Sequence, residues 1–187
     1  MAGTSSGGRK RRLRPADLTE VQEALYAEIA LGTRARDSPF PLVDAEGSLT
    51  GPFDALLLLP ELGTAVEGLG LAIRFGGGLP ARARELAILV TGHHHHSAFE
   101  VAAHEAAGRR AGLSESELAS LAEGRDVGAN ALETLVSRVT RELVSTGALT
   151  DSSYQAAVDG LGEEGVFELT CIVGYYSMLA VQMRVFG

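Results

Sequence analysis

Residues 85–104, ELAILVTGHHHHSAFEVAAH, decide how the chain is read: they hold all five histidines (His93, His94, His95, His96 and His104) beside two carboxylates, Glu85 and Glu100. Residues three, four or seven apart share one face of a helix. That spacing lets His93, Ser97, Glu100 and His104 line one stripe, with His96 at its border. A site is therefore the first expectation for this stretch, and its flanks must supply the scaffold.

The flanks read as helices. Upstream, Leu86 and Leu89 face a core while Arg82, Arg84 and Glu85 add polar groups, which predicts a helix over 80–91 that Gly92 interrupts. Downstream, Phe99, Ala103 and Ala107 keep a helical period over 97–111, closed by Gly112. Ser114-x-x-Glu117 is a capping box for a short helix ending at Gly124. A longer helix over 129–146 places Leu132, Leu135, Val136, Val139 and Leu143 inward. Asp151 caps a brief segment with Tyr154, and an almost wholly apolar helix over 164–186 ends the chain.

Toward the N-terminus, Pro60 opens a helix with Leu62, Val66, Leu69 and Ile73 on one face, and 53–59 is a buried strand or a short buried helix. Pro39, Pro41, Gly47, Gly51 and Pro52 make 33–52 an extended arm. Before it, Leu18, Val21, Leu25 and Ile29 mark an amphipathic helix with a Thr19-x-x-Gln22 capping box and Gly32 as its stop. Strict alternation persists nowhere, so the expected fold class is all-α.

Composition sets the outer limits. The 187 residues, 45% hydrophobic, suffice for one domain with a real core. We read 16–187 as that single domain and 1–15 as a disordered basic tail, Gly/Ser-rich and then carrying Arg9, Lys10, Arg11, Arg12 and Arg14. Setting those five aside, the body holds 11 of the 16 basic residues against 24 acidic ones, a surface that repels phosphate backbones. Nucleic acid is not an expected partner. One cysteine, Cys171, makes no internal disulfide, and 169–181 is too short to span a bilayer. With no apolar stretch after the N-terminal charges, a soluble, cytoplasmic protein without membrane attachment is expected.

Four stretches carry a family resemblance: GPFDALLLLPEL (51–62), LPARARELAILV (79–90), FEVAAHEAAGRRAGLSESEL (99–118) and ELTCIVGYYSMLA (168–180). Together they resemble the carboxymuconolactone decarboxylase family, whose relatives include the alkylhydroperoxidase AhpD-like proteins. The specific part is an aromatic-Glu-x-x-x-His unit before a Gly-Leu-Ser capping box, downstream of Arg-x-Arg-Glu-Leu-Ala (82–87). The resemblance implies an AhpD-like helical bundle assembling into a homo-oligomer, often a trimer or hexamer. In the peroxidase branch a Glu, a Cys-x-x-Cys pair and a His form the site. Here Glu85 and His104 match the Glu and His, but Ser97 and Glu100 stand at the cysteine positions. Without a thiolate at those positions, thiol peroxidase activity is not expected. The decarboxylase-like branch often carries a Glu where Glu100 stands.

Decarboxylation of a lactone acid beside a conjugated double bond needs an enolate-like charge stabilised and a proton delivered to carbon. The expected catalytic residues are therefore His104 as general acid/base, Glu85 as its orienting or proton-relaying carboxylate, and Glu100 as a second base. His93, His96, Ser97 and Tyr176 are expected at the substrate. The same set serves a double-bond isomerisation on a lactone, keto-acid or polyketide-like substrate, and neither reaction needs a cofactor. Two other readings stand beside it. His96, Glu100 and His104, at i, i+4 and i+8, have the spacing of ligands to zinc or iron. The chain is alternatively a non-catalytic oligomeric binding protein that keeps the fold.

Overall fold

Local hydrogen bonds open the first helix where the sequence places it. The computed structural model describes residues 12–186, and in it Thr19 and Gln22 form the reciprocal capping box of α1 (Glu20–Leu31). Gly32 ends the helix because a Cβ there would stand 2.1 Å from the Glu28 carbonyl oxygen. Leu25 and Ile29 of the expected stripe are buried, whereas Val21 is exposed. The next residues depart from the expected extended arm: α2 (Thr33–Asp37) is a short helix. No breaker precedes Pro39, so nothing opposes a single turn there.

The rest of the arm is irregular. Asp44 Oδ1 accepts from the N–H groups of Glu46 (3.0 Å) and Ser48 (2.8 Å), and Val43 bridges Leu49. The segment that sequence left as strand or helix is helical, as α3 (Phe53–Leu56), and α4 (Pro60–Phe75) follows. Then come α5 (Ala81–His94), α6 (Ala98–Arg110), α7 (Glu115–Ala122), α8 (Ala131–Thr146) and α9 (Asp151–Phe186). Among the described residues there is no strand, and the fold is all-α.

The chain groups into two compact units, one of the described residues up to Gly68 with those from Val181 on, the other Leu69–Ala180. The boundaries fall inside α4 and α9 rather than in a linker. In the first unit, residues 1–11 of the basic tail lie outside the described residues. Arg12 pairs with Asp44 (3.1 Å), and the Leu13 N–H donates to Asp54 Oδ1 (3.2 Å). Gly63 lets α4 meet α3, since a Cβ there would stand 2.3 Å from the Leu56 carbonyl oxygen. Glu67, fully buried, accepts from Arg34 Nε at 2.8 Å, and the Arg34 guanidinium lies 5.0 Å over the Phe53 ring. Burial pushes the Glu67 carboxyl above its usual range, against the opposing pull of Arg34.

The buried stripe of α4 also differs from the expected one. Val66 and Ile73 are buried with Gly63, Glu67 and Gly70, while Leu62 and Leu69 are exposed. The glycines on that side allow close approach, so the helix turns its smaller residues inward.

In the second unit α5 is central. Residues 85–92 are all buried, and Leu86, Leu89 and Val90 pack with Leu113, Leu118, Leu121 and Val127. Gly92 does not interrupt this helix as expected. It faces α6, where a Cβ would already touch Val101 Cγ2 at 3.4 Å and Glu100 Cβ at 3.5 Å. The capping box Ser114/Glu117 opens α7, and Asn130 caps α8 by accepting from the Glu133 N–H at 3.0 Å. Of the expected stripe on α8, Val136 and Val139 are buried and Leu132, Leu135 and Leu143 are half-buried, while Glu133, Ser137 and Thr140 are buried as well. Glu133 is held there by an ion-pair node, in which Arg82 Nε meets both Glu133 oxygens at 3.0 Å and its other nitrogens reach Glu117 and the Gly112 carbonyl.

The brief segment at Asp151 and the last helix are two helical segments of α9 that meet at a kink at Gly162 (φ 72°, ψ 167°), as the sequence reading expects. By length and composition α9 could cross a membrane. Its Leu169, Ile172, Tyr175, Tyr176 and Leu179 are buried, in a helix whose most apolar window is 39% buried within the protein.

Candidate active site

The turn between α5 and α6 places the catalytic candidates. The Ser97 N–H bonds to the Gly92 carbonyl and the His96 N–H to the His93 carbonyl, both at 3.0 Å. This is the Schellman pattern that ends helices with a left-handed residue. His96 is that residue, at φ 52°, in the place that Gly112 and Gly124 take at the ends of α6 and α7. The histidine run is thus split, with His93 and His94 closing α5 and His95 and His96 forming the turn. The expected stripe of His93, Ser97, Glu100 and His104 on one helix does not form, because α6 starts only at Ala98.

Antiparallel return of the chain through this turn brings Glu85 of α5 to His104 of α6. His104 Nδ1 and Glu85 Oε2 share a hydrogen bond at 2.7 Å. On the other side of the ring, Nε2 lies 3.5 Å from Glu100 Oε2, one helical turn back on α6. Glu85 and Glu100 are each 3% exposed and His104 7%, so one imidazole stands between two carboxylates away from bulk water. Leaving such charges unpaired costs several kcal/mol each. The bond to Glu85 engages Nδ1 and leaves Nε2 turned toward Glu100. Tyr176 of α9 packs edge-on to the His104 ring, centroids 5.0 Å apart, and Tyr175 packs edge-on to Tyr176. From α4, Arg74 Nη1 lies 4.0 Å from Glu85 Oε1.

The structure therefore brings together Glu85, Glu100, His104 and Tyr176. Ser97 is buried at the N-cap of α6, and its hydroxyl does not cap the helix. His93 is half-buried, with its Nε2 enclosed and without a hydrogen-bond partner. Burial pushes its pKa down, opposed by Glu105 and reinforced by Arg141 and His96, so it offers an anion little charge. His96 is exposed in the turn. The i, i+4, i+8 ligand set of His96, Glu100 and His104 fails as drawn, because His96 is not on α6. Among the described residues no three His, Cys, Asp or Glu side chains gather as a metal site. Glu100 and His104 remain a pair of possible donors on one helix face.

Sequence reading missed two members of this region. Arg74, in the last turn of α4, reads there as an ordinary complement to the helix dipole. His95, whose Nε2 is 2.8 Å from Ser177 Oγ, was hidden in the run, and no spacing relates it to α9.

Fold and site define an all-α protein with a buried carboxylate–imidazole–carboxylate array of Glu85, His104 and Glu100. The one cysteine, Cys171, is half-buried on α9. The model of the carboxymuconolactone decarboxylase family matches residues 60–134, from α4 into α8, a span that contains Glu85, Glu100 and His104. Over that span the chain is similar to that family, the one its motifs resemble. No curated protein matches it.

Proposed function

We propose that the protein is a cofactor-free decarboxylase or isomerase that transfers protons through Glu85, His104 and Glu100 on a small lactone, keto-acid or polyketide-like substrate. The observation that carries this reading is the single imidazole flanked on its two ring nitrogens by buried carboxylates, at 2.7 Å and 3.5 Å. In decarboxylation the C–C bond to the carboxylate breaks, carbon dioxide leaves, and the electron pair passes into the conjugated carbonyl. A proton from the His104–Glu100 side then closes the new C–H bond, and Glu85 stabilises the imidazolium that supplies it. In isomerisation the same array removes a proton from one carbon and returns it to another. Tyr176 forms a wall against His104, and the uncommitted Ser97 hydroxyl is available to the substrate.

Homo-oligomerisation is part of the proposal. Phe167 on α9 is 70% exposed, a large aromatic surface that a second copy would cover. The chemistry asks for no zinc or iron.

The test uses an unsaturated lactone acid, carboxymuconolactone, as probe in deuterium oxide. Wild-type protein is expected to release carbon dioxide or to wash deuterium into a ring carbon, read by mass spectrometry. His104→Gln should slow this by about 10²–10⁴-fold. Equal incorporation by wild type and a folded His104→Gln variant would remove His104 from the chemistry.

A further inference from the structure

Arg84 lies on the side of α5 that is turned to α9. Positions i, i+4, i+7 and i+11 of a helix fall on one side, so Arg84, Ile88, Thr91 and His95 form a stripe. At one end of this stripe His95 Nε2 meets Ser177 Oγ of α9 at 2.8 Å. Before the start of α5, Glu168 Oε2 of α9 accepts from the Leu79 N–H at 3.0 Å. α9 therefore runs alongside α5 from Glu168 to Ser177, and on that same length its Tyr176 packs against His104. Ile88 and Thr91 on the stripe are fully buried. Arg84 thus faces the α5–α9 seam on the flank of the relay, one residue before Glu85 and about 100° round the helix from it.

Arg84 is half-buried, and its Nε is enclosed with no hydrogen-bond partner among the described residues. Other half-buried arginines engage Nε with carboxylates: Arg82 with Glu133 at 3.0 Å and Arg34 with Glu67 at 2.8 Å. An arginine that lays its stem on the surface and its head in water would account for a solvated Nε, not for an enclosed one. Enclosing a charged donor without an acceptor costs stability, which marks Nε as a group waiting for a partner. The Nε–H and the adjacent Nη–H point the same way and match the two oxygens of a planar carboxylate.

We propose that Arg84 is a binding residue that takes a carboxylate of the substrate side-on through Nε and Nη, which makes the site selective for acids over neutral rings. An ion pair to a carboxylate that leaves as carbon dioxide would oppose its loss, so the group held by Arg84 is one the product keeps. That the bound acid is a substrate rests on the proton-transfer reading of the site. The anion site itself is tested without turnover.

The probes are furan-2-carboxylate, a planar ring acid of lactone size, and furan-2-carboxamide, its neutral isostere. Each is titrated calorimetrically into the full chain at fixed ionic strength. Wild type is expected to bind the acid saturably and more tightly than the amide. Arg84→Met should weaken the acid by about 10–100-fold and leave the amide unchanged. Arg84→Lys, which keeps the charge but loses the fork, should fall between the two. Arg138→Met, at an exposed arginine of α8, should bind both probes as wild type does, which separates a local contact from loss of net charge. A merely structural role for Arg84 would weaken acid and amide alike. That result overturns the proposal, as does equal binding of the acid by wild type and folded Arg84→Met, or no saturable binding of the acid by wild type. His104→Gln should keep the preference for the acid. If deuterium incorporation proves indifferent to His104 while the acid still needs Arg84, the relay falls and the anion site stands, so the two failures are distinguishable.

Discussion

Replacing Glu85 with glutamine preserves the side chain's shape and one acceptor oxygen while removing its charge. The 2.7 Å bond to His104 Nδ1 then becomes a bond to a neutral amide. A hydrogen bond to a charged group contributes about 1.5–3 kcal/mol and a neutral one about 1, so roughly 1–2 kcal/mol is lost at this contact. Arg74 also loses its carboxylate at 4.0 Å, which brings the expected destabilisation to about 2–4 kcal/mol. His104→Gln alone leaves two buried carboxylates facing an amide and should cost about 3–5 kcal/mol. In the double variant two amides replace the pair and neither strands a charge against the other. The cycle should therefore show a coupling energy of about 1–3 kcal/mol. Urea unfolding followed by far-UV circular dichroism and tyrosine fluorescence measures it, the chain having four tyrosines and no tryptophan to mask them. Additivity within about 0.5 kcal/mol would refute the claim that Glu85 and His104 form one energetic unit.

Two further outcomes follow from the geometry. His96→Gly relieves a left-handed non-glycine residue and should stabilise the protein by about 1 kcal/mol, read as a higher urea midpoint, with deuterium incorporation unchanged because His96 is exposed in the turn. Loss of incorporation in that variant would restore His96 to the substrate site. For Glu67, burial raises the folded-state pKa above the unfolded value of 4.5. The native state therefore holds the proton more tightly, and Glu67's contribution turns unfavourable as pH rises from 4.5 through the raised folded pKa. Glu67→Gln removes that slope, so its melting temperature relative to wild type should climb as pH rises from about 4.5 to 7. A difference that stays flat or falls would contradict the burial argument.

Helix beginnings were legible because they are settled within four residues. Thr19 with Gln22 and Ser114 with Glu117 close reciprocal bonds that their spacing alone specifies. Helix faces were less legible. Leu62 and Leu69 are exposed while Glu67, Glu133 and Ser137 are buried, because glycines on α4 and the Arg82 node decide which side another helix can approach. Burial of a carboxylate depends on a partner distant in sequence, which hydrophobic period does not encode. The candidate site divides in the same way. Glu85, Glu100 and His104 were readable from the family motif, but Arg74 was not, since its partner Glu85 lies on another helix.

By itself, then, the sequence determined the helical class, the caps and the residue types of the site, all of which depend on bonds or periods within one or two turns. Only the tertiary structure decided that His104 stands between two carboxylates, that His96 belongs to a turn rather than to a ligand stripe, and that Arg74 faces Glu85. The meeting of Glu85 with His104 depends on the register of α5 against α6, whereas that of Arg74 with Glu85 depends on where α4 is placed. A one-residue change in the turn would rotate every side chain after it by about 100°, and no local preference in the chain measures that register.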